Sequence, residues 1–360
     1  MPRSAVDRLP ELIRFRTVNP GGDELALCEF LAGELRALGA DEVITEHVPR
    51  EGSRGGYVYA RFGAPRLLLN AHVDTVPVNA GWRGDPFEAR IDDGKLYGLG
   101  AADTKGAIAA ALAAIERDTP RDVAFLFSGD EERTGTCLPA FLESGKAEGI
   151  DRAIVCEPTA RRAGTHHRGV LAYRATINGK GGHSSRADHM PKPIVAMSKL
   201  ACSLDELARD RLHDGPPDMR GLALNVAEIS GGVAFNVVPE RAELTFSIRP
   251  YPEFDKAAFD AEIAERARAV DASIEIENVL DHRPLACRDE APLRELLGDG
   301  VDAYVGLDFW TEAAVLSAAG IHSVVVGPGD IALAHSPDEY VPIDDLEWAT
   351  DLFARALSRA

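Results

Sequence analysis

The chain lacks a basic surplus, paired cysteines and any long apolar run, and each absence removes a class of function. With 58 acidic against 39 basic residues, its formal charge is −19. Binding nucleic acid or an anionic membrane without sequence preference needs a basic surface, so neither is expected as a partner. The five cysteines, Cys28, Cys137, Cys156, Cys202 and Cys287, are scattered and form no C-x-x-C pair. That spacing suits reduced thiols better than a disulfide framework. No apolar stretch reaches the length of a membrane span, and "MPRSAVDRLPELIRF" has no apolar signal core. A cytoplasmic protein is expected. Internal repeats and low-complexity segments are absent as well.

What is present is an ordinary globular composition spread over 360 residues. That is more than a single core comfortably organises, so two domains, or one domain with a large insertion, are expected. Residues 24–38 place Leu27, Phe30, Leu31, Leu35 and Leu38 on one helical face, with Gly39 as the stop. "RLLLNAHVDTVP" (66–77), "DVAFLFS" (122–128), "RAIVCEPT" (152–159) and "IHSVVVGPGD" (321–330) each open as a short, continuous apolar strand. "GLGAADTKGAIAAALAAIERD" (98–118) reads as a turn into an Ala-rich helix, with Asp103 or Thr104 placed to cap it, and 344–360 closes as a helix. Continuous apolar strands alternating with helices predict an α/β fold with a largely parallel sheet. The middle differs. Segments 170–179 and 241–250 alternate like strands with one wet face, and 191–210 and 254–270 read as helices. An inserted α+β domain of antiparallel strands and two helices is therefore expected at 169–280, within an α/β domain formed by 1–168 and 281–360. The Pro/Gly-rich segment 212–221 reads as a surface loop.

"FLFSGDEERTG" (125–135) runs from a buried strand straight into Asp130, Glu131 and Glu132. Alone, such a triplet is a solvated turn. Ligands of open parallel sheets, however, gather beyond the carboxyl ends of the strands. There the sequence places His72 and Asp74 after the first apolar run, Glu131 and Glu132 after the second, Glu157 after the third and His335 after the fourth. Asp103 sits on the loop before the Ala-rich helix. Carboxylates crowded together repel one another unless a cation lies among them. Imidazole with carboxylate suits zinc or cobalt, and two histidines with three acids can hold two ions if one carboxylate bridges. The metal would hold the triplet's charge, leaving one carboxylate to move protons.

Read together, "NAHVDTVP", "GLGAADTKGAIAA", "SGDEERTG", "CEPT", "GKGGHSS", "NVVPERAELTFSIRP" and "GPGDIALAHSPDEYVP" resemble the dinuclear zinc deacylase and exopeptidase family. That family includes acetylornithine deacetylase, succinyl-diaminopimelate desuccinylase, aminoacylase and carboxypeptidase G. The resemblance implies two divalent ions, Zn2+ or Co2+. His72 and Glu157 would bind one, Glu132 and His335 the other, and Asp103 would bridge them. Asp74 would orient the His72 ring, and Glu131 would be the general base, passing a proton from the attacking water to the leaving amine. In the inserted lid or dimerisation domain, His183 would stabilise the oxyanion, reaching the other subunit's site in a homodimer. Asn236 and Arg249 would grip the substrate, the guanidinium taking a planar carboxylate. Closure between the domains is implied as well.

"TEA" at Thr311–Glu312–Ala313 resembles the acetylornithine deacetylases rather than the desuccinylases, and Phe309–Trp310 before it looks closer to acetylcitrulline deacetylases. A flat ureido group could lie on Trp310, whereas an ornithine ammonium would want Asp308 or Glu312. The substrate implied is a small N-acyl amino acid of the arginine pathway. Desuccinylase, aminoacylase and dipeptidase activities remain as alternatives. A catalytically silent relative would have lost the base or a ligand, and every candidate is present.

Overall fold

Four apolar runs form the parallel centre of a mixed sheet in the computed structural model, which describes residues 2–49, 54–287 and 289–360. Strands Val123–Ser128, Leu67–His72, Arg152–Val155 and His322–Val325 lie side by side in that order, each parallel to the next. Leu67 is in register with both Val123 and Arg152, and His322 with Arg152. Their carboxyl ends therefore share one edge. Helices cover both faces of such a sheet, which is why its strands read as unbroken apolar runs. Every residue of Leu67–His72 and Val123–Ser128 is buried. Truncating Phe125, fully buried at the centre, should cost about 3–5 kcal/mol.

Two flanking strands the sequence reading did not pick out, Glu42–His47 and Gly56–Phe62, extend the sheet antiparallel beside Val123–Ser128. Ala163–His167 joins antiparallel on the far side through Val325 and Gly164. The sheet is thus mixed, with its parallel part at the centre. Helix Lys105–Arg117 is buried from Lys105 to Ile115, its run of alanines packed with helices Ala5–Ile13 and Ile343–Leu357. Thr104 stands at its N-cap without capping it through the side chain. The hydroxyl donates instead to His72 O at 2.8 Å, and the Asp103 carboxylate faces His72 at the sheet edge.

The chain divides into two compact units: Met1–Thr165, Cys287–Val305 and Thr311–Ala360 in one, His166–Ala286 and Gly306–Trp310 in the other. Residues 306–310 group with the second unit, whereas the sequence reading assigns all of 281–360 to the first. The second unit is built on an antiparallel sheet in the order Asn225–Gly231, Arg241–Ile248, Val170–Asn178, Glu275–His282. Alternation puts Leu171, Tyr173, Ala175, Leu244 and Phe246 on the inner face. They pack against Leu200 and Leu204 of helix Pro193–Asp210 and Phe259 and Ile263 of helix Lys256–Val270. Tyr173 and Phe246 stack with ring centroids 5.2 Å apart, one of the favoured aromatic arrangements. A short ribbon pairs Gly182–His183 with Val237–Val238.

Candidate metal centre

His72 ends a central strand and is buried. Its Nδ1 lies 2.9 Å from the carbonyl oxygen of Asp74. A carbonyl can only accept, so Nδ1 carries the proton and the lone pair is on Nε2. That nitrogen is 2.8 Å from Asp103 Oδ1 and 3.9 Å from Glu157 Oε1. The ring is thus oriented chiefly by the backbone carbonyl of Asp74, whose carboxylate Oδ1 lies 3.6 Å away. The carboxylate holds the opposite loop, accepting from the backbone N–H groups of Glu131 at 3.1 Å and Glu132 at 3.2 Å and from Asn19 Nδ2 at 2.9 Å.

His335 reaches the same edge ten residues beyond its strand, after the short 3-10 turn Ile331–Leu333 and through a left-handed residue at φ 58°. Its Nε2 lies 3.3 Å from Asp103 Oδ2 and 3.1 Å from Glu132 Oε1. The two oxygens of Asp103 therefore face different imidazoles. His72, Asp103 and Glu132 offer ligand atoms that all lie within 4.8 Å of one another.

A ring lone pair aimed at a carboxylate oxygen is repulsive unless a positive charge lies between them. Without a metal, protons take that role. Burial opposes charging of His72, yet hydrogen bonds to Asp103 and Asp74 push its pKa well above the usual imidazole range. Hydrogen bonds to Asp103 and Glu132 push His335 up to about 10. Burial, reinforced by neighbouring carboxylates, pushes Glu131, Glu132 and Glu157 upward. Divalent cations would supply the missing charge without protonating the acids. Ligands about 2.1 Å from one tetrahedral ion lie about 3.4 Å apart. The separations of 2.8, 3.1, 3.3 and 3.9 Å bracket that value, so the donor set fits metal in both chemistry and spacing.

Asp130 breaks the expectation that metal holds all three charges of the triplet. Its Oδ2 accepts from Thr136 N at 3.0 Å, Thr136 Oγ1 at 2.6 Å and Thr134 Oγ1, and its Oδ1 from Asn19 Nδ2 at 3.0 Å. Burial opposes its ionisation, but these donors outweigh it and bring its pKa down to about 2. Gly129 before it has a steric reason: a Cβ there would lie 1.8 Å from Glu24 Oε2.

The loop of Asp103 rests on a residue the sequence reading missed. Buried Glu339 accepts from Gly100 N at 3.0 Å, Ala102 N at 2.8 Å and Asp103 N at 3.0 Å. Its place four residues after His335 was the available signal. Burial and the Asp103 charge push Glu339 up to about 7 against those three donors.

Glu312 and Thr311, the expected substrate contacts, are both buried and hydrogen-bonded within the protein. Glu312 is 2% exposed, and its Oε2 accepts from Asn70 Nδ2 at 3.0 Å and Ser128 Oγ at 2.6 Å. Burial pushes its carboxyl up to about 7. Thr311 is buried, its Oγ1 accepting from Ala313 N at 3.2 Å.

In the second unit, His183 Nδ1 accepts from Ser185 N at 3.2 Å, which leaves the proton of the neutral ring on Nε2. Asn236 immediately precedes the ribbon strand Val237–Val238, its backbone carbonyl accepting from Ser184 N at 3.1 Å. Arg249 is half-buried, and burial pulls its pKa below the usual guanidinium value, with no acidic neighbour countering it among the described residues. Trp310 stacks on His282 at 4.3 Å, and its Nε1 donates to Arg283 O at 3.1 Å.

Residues 68–359 match the profile of the peptidase family M20/M25/M40. The chain belongs to this family. It is 33% identical to the N-acetyl-L-citrulline deacetylase of Xanthomonas campestris pv. campestris, over 96% of this chain and 94% of that protein. It is 31% identical to the acetylornithine deacetylase of Pasteurella multocida, over 92% and 90%. The succinyl-diaminopimelate desuccinylase of Stenotrophomonas maltophilia is 29% identical over 99% of each. Among solved structures, the M20 family metallo-carboxypeptidase Sso-CP2 from Sulfolobus solfataricus superposes with a TM-score of 0.80 at 18% identity, covering 99% of this chain and 98% of that one. A dinuclear metal-binding M20 peptidase from Bacillus subtilis gives 0.72 at 14% identity, covering 98% and 96%. As an M20 family member with deacetylase relatives, the protein is a metal-dependent amidohydrolase. Among the described residues, no helix is long and apolar enough to cross a membrane.

Proposed function

We propose that the protein hydrolyses the acetyl amide of an N-acetyl amino acid of the arginine pathway, N-acetylornithine or N-acetylcitrulline. The observation that carries the hydrolase in this reading is Asp103, whose two oxygens face two different imidazoles, and the acetyl substrate is supported by the likeness to N-acetylcitrulline and acetylornithine deacetylases. His72 and Glu157 would hold one divalent ion, zinc or cobalt, Glu132 and His335 the other, and Asp103 would be shared. Such ions lower the pKa of water and polarise a bound carbonyl. Glu131 takes a proton from the attacking water as its oxygen bonds to the acetyl carbon. The same proton then goes to the amine nitrogen as the C–N bond breaks. A carboxylate whose proton affinity is raised by burial suits both halves of that transfer. In a homodimer His183 would donate Nε2–H to the oxyanion developing in the other subunit's site. Arg249 takes the α-carboxylate in two parallel N–H···O bonds, with Asn236 beside His183 as a further donor.

The proposed enzyme is a cytoplasmic homodimer. Edge strand Asn225–Gly231 exposes Ile229, the segment after it exposes Val233 and Phe235, and the ribbon strand that follows exposes Val237, with Phe235 100% exposed. An apolar edge of this kind invites a second strand from another copy. Light scattering should give twice the chain mass. A fully active monomer would defeat the dimer.

The deciding assay is acetate release by the zinc- or cobalt-loaded protein from N-acetylornithine and N-acetylcitrulline, with N-succinyl-diaminopimelate hydrolysis followed in parallel. Preference for either acetyl substrate supports the reading. Preference for the succinyl substrate overturns the acetyl assignment and leaves the hydrolase.

A further inference from the structure

We propose that Glu312 is a positioning residue for the metal centre, tying together the two adjacent strands that present His72 and the Glu131–Glu132 pair. The proposal rests on the metal-centre reading and assigns Glu312 a place behind the ligands rather than a contact with substrate.

Asn70 lies two residues before His72 on its strand, and Ser128 is directly opposite His72 in the parallel register. Ser128 is also the last residue of the strand that leads, through Gly129 and Asp130, into Glu131. Glu312 Oε2 accepts from both, at 3.0 Å from Asn70 Nδ2 and 2.6 Å from Ser128 Oγ, while Asn70 Nδ2 lies 3.1 Å from Ser128 Oγ. One carboxylate oxygen thus closes a triangle across the two strands within a few residues of both ligand sets. A charge-assisted hydrogen bond is shorter and stronger than a neutral one, so the triangle fixes the register where the chain turns into the site.

Packing alone does not explain the choice of residue. Glu312 Oε1 and Asn70 Oδ1 are both buried without a hydrogen-bond partner among the described residues. A leucine at 312 would fill similar space without leaving a bare acceptor. Cations bound nearby would favour the charged form of this carboxyl against the burial that pushes it upward, because charge acts at longer range in a low-dielectric interior. Removing a partner hydrogen-bonded to a metal ligand typically weakens metal binding by about 10–100-fold, and Glu312, one residue further back, is expected at the lower end of that range.

The test measures zinc affinity of the full chain by competition with a chromophoric chelator, together with the thermal midpoint of the metal-free protein. Glu312→Gln keeps the shape and removes the charge. It should lower zinc affinity about 10-fold or more while leaving the metal-free midpoint within a degree or two of wild type. Ser128→Ala, which breaks the triangle from the other strand, should weaken zinc in the same direction and less. If Glu312→Ala fails to fold, these two variants still decide. Zinc affinity within twofold of wild type in Glu312→Gln overturns the proposal. So does a loss of affinity matched by a comparable fall in the metal-free midpoint, which would make Glu312 merely structural. A wild-type chain that binds no zinc ends the metal-centre reading itself, a separate failure.

Discussion

The acids and imidazoles at the sheet edge of the larger unit are mutually engaged, whereas Arg249 of the smaller unit has no acidic neighbour shifting it among the described residues. Asp103 sits between two imidazoles, Asp74 clamps the backbone of Glu131 and Glu132, and Glu339 cradles the Asp103 loop. Arg249 is half-buried, and His183 and Asn236 are exposed. Cation-binding groups pre-built on strand ends lose little entropy on binding metal. Groups that meet a substrate must stay available and find their counter-charge in it. Substitutions in the first region should therefore act on turnover or metal, and those in the second on substrate affinity and oxyanion stabilisation.

Glu131→Gln gives the sharpest contrast. Turnover should fall by about 10²–10⁴ with metal content unchanged, measured by acetate release and metal analysis on the same sample. Metal loss in step with activity would instead make Glu131 a ligand. His183→Ala comes next, with kcat reduced about 10²–10³ and KM little changed. A rise in KM at constant kcat would move His183 to ground-state binding. Arg249→Met should chiefly raise KM, by about 10–150-fold for the loss of a charged pair worth about 1.5–3 kcal/mol. An unchanged KM would mean that the half-buried guanidinium meets no carboxylate and that the two regions do not differ as argued.

Asp130→Asn separates charges held by hydrogen bonds from those suited to metal. The folded pKa of Asp130, about 2, lies below its unfolded value of 3.8. Its ionisation therefore adds stability that is fully present above pH 3.8 and is lost as the pH falls through the folded value. A shift of that size in a buried group is worth about 2 kcal/mol. In the metal-free protein, denaturation of wild type and Asp130→Asn should differ by about that much at pH 7, and the gap should narrow between about pH 4 and pH 2. A gap independent of pH would show that hydrogen-bond geometry, not charge, supports the loop.

Much of this was legible in the chain because a parallel strand buried on both faces must be apolar throughout. Its first polar residues then mark the strand end. His72, Asp74, Glu131, Glu132 and Glu157 all follow such runs, and the fold brings them to one edge. The antiparallel flanking strands were less legible. Glu42–His47 is half-exposed, and its pattern lacks a continuous apolar run. Separate tasks for Asp130, Glu131 and Glu132 depend on where Thr134, Thr136 and Asn19 lie, and Asn19 is 111 positions from Asp130. Residue type alone could not show that Thr104 bonds a strand carbonyl instead of capping its helix, or that Glu312 turns inward.

Trp310 offers the smallest effect and bears most directly on substrate choice. Its indole is already engaged, stacked on His282 at 4.3 Å with Nε1 donating to Arg283 O. A ureido group resting on the indole would therefore need its opposite face. Aromatic contacts of this sort contribute about 0.5–1.5 kcal/mol, or about 2–12-fold in kcat/KM. Trp310→Leu should lower the ratio of N-acetylcitrulline to N-acetylornithine turnover within that range. The stack with His282 would be lost equally for both substrates, so only a change in the ratio reports on contact with the side chain. An equal fall for both would assign Trp310 to holding residues 306–310 within the smaller unit. Discrimination would then have to come from the charged groups near it, beginning with Asp308, whose carboxylate is 83% exposed although Arg168 Nε donates to it at 3.0 Å.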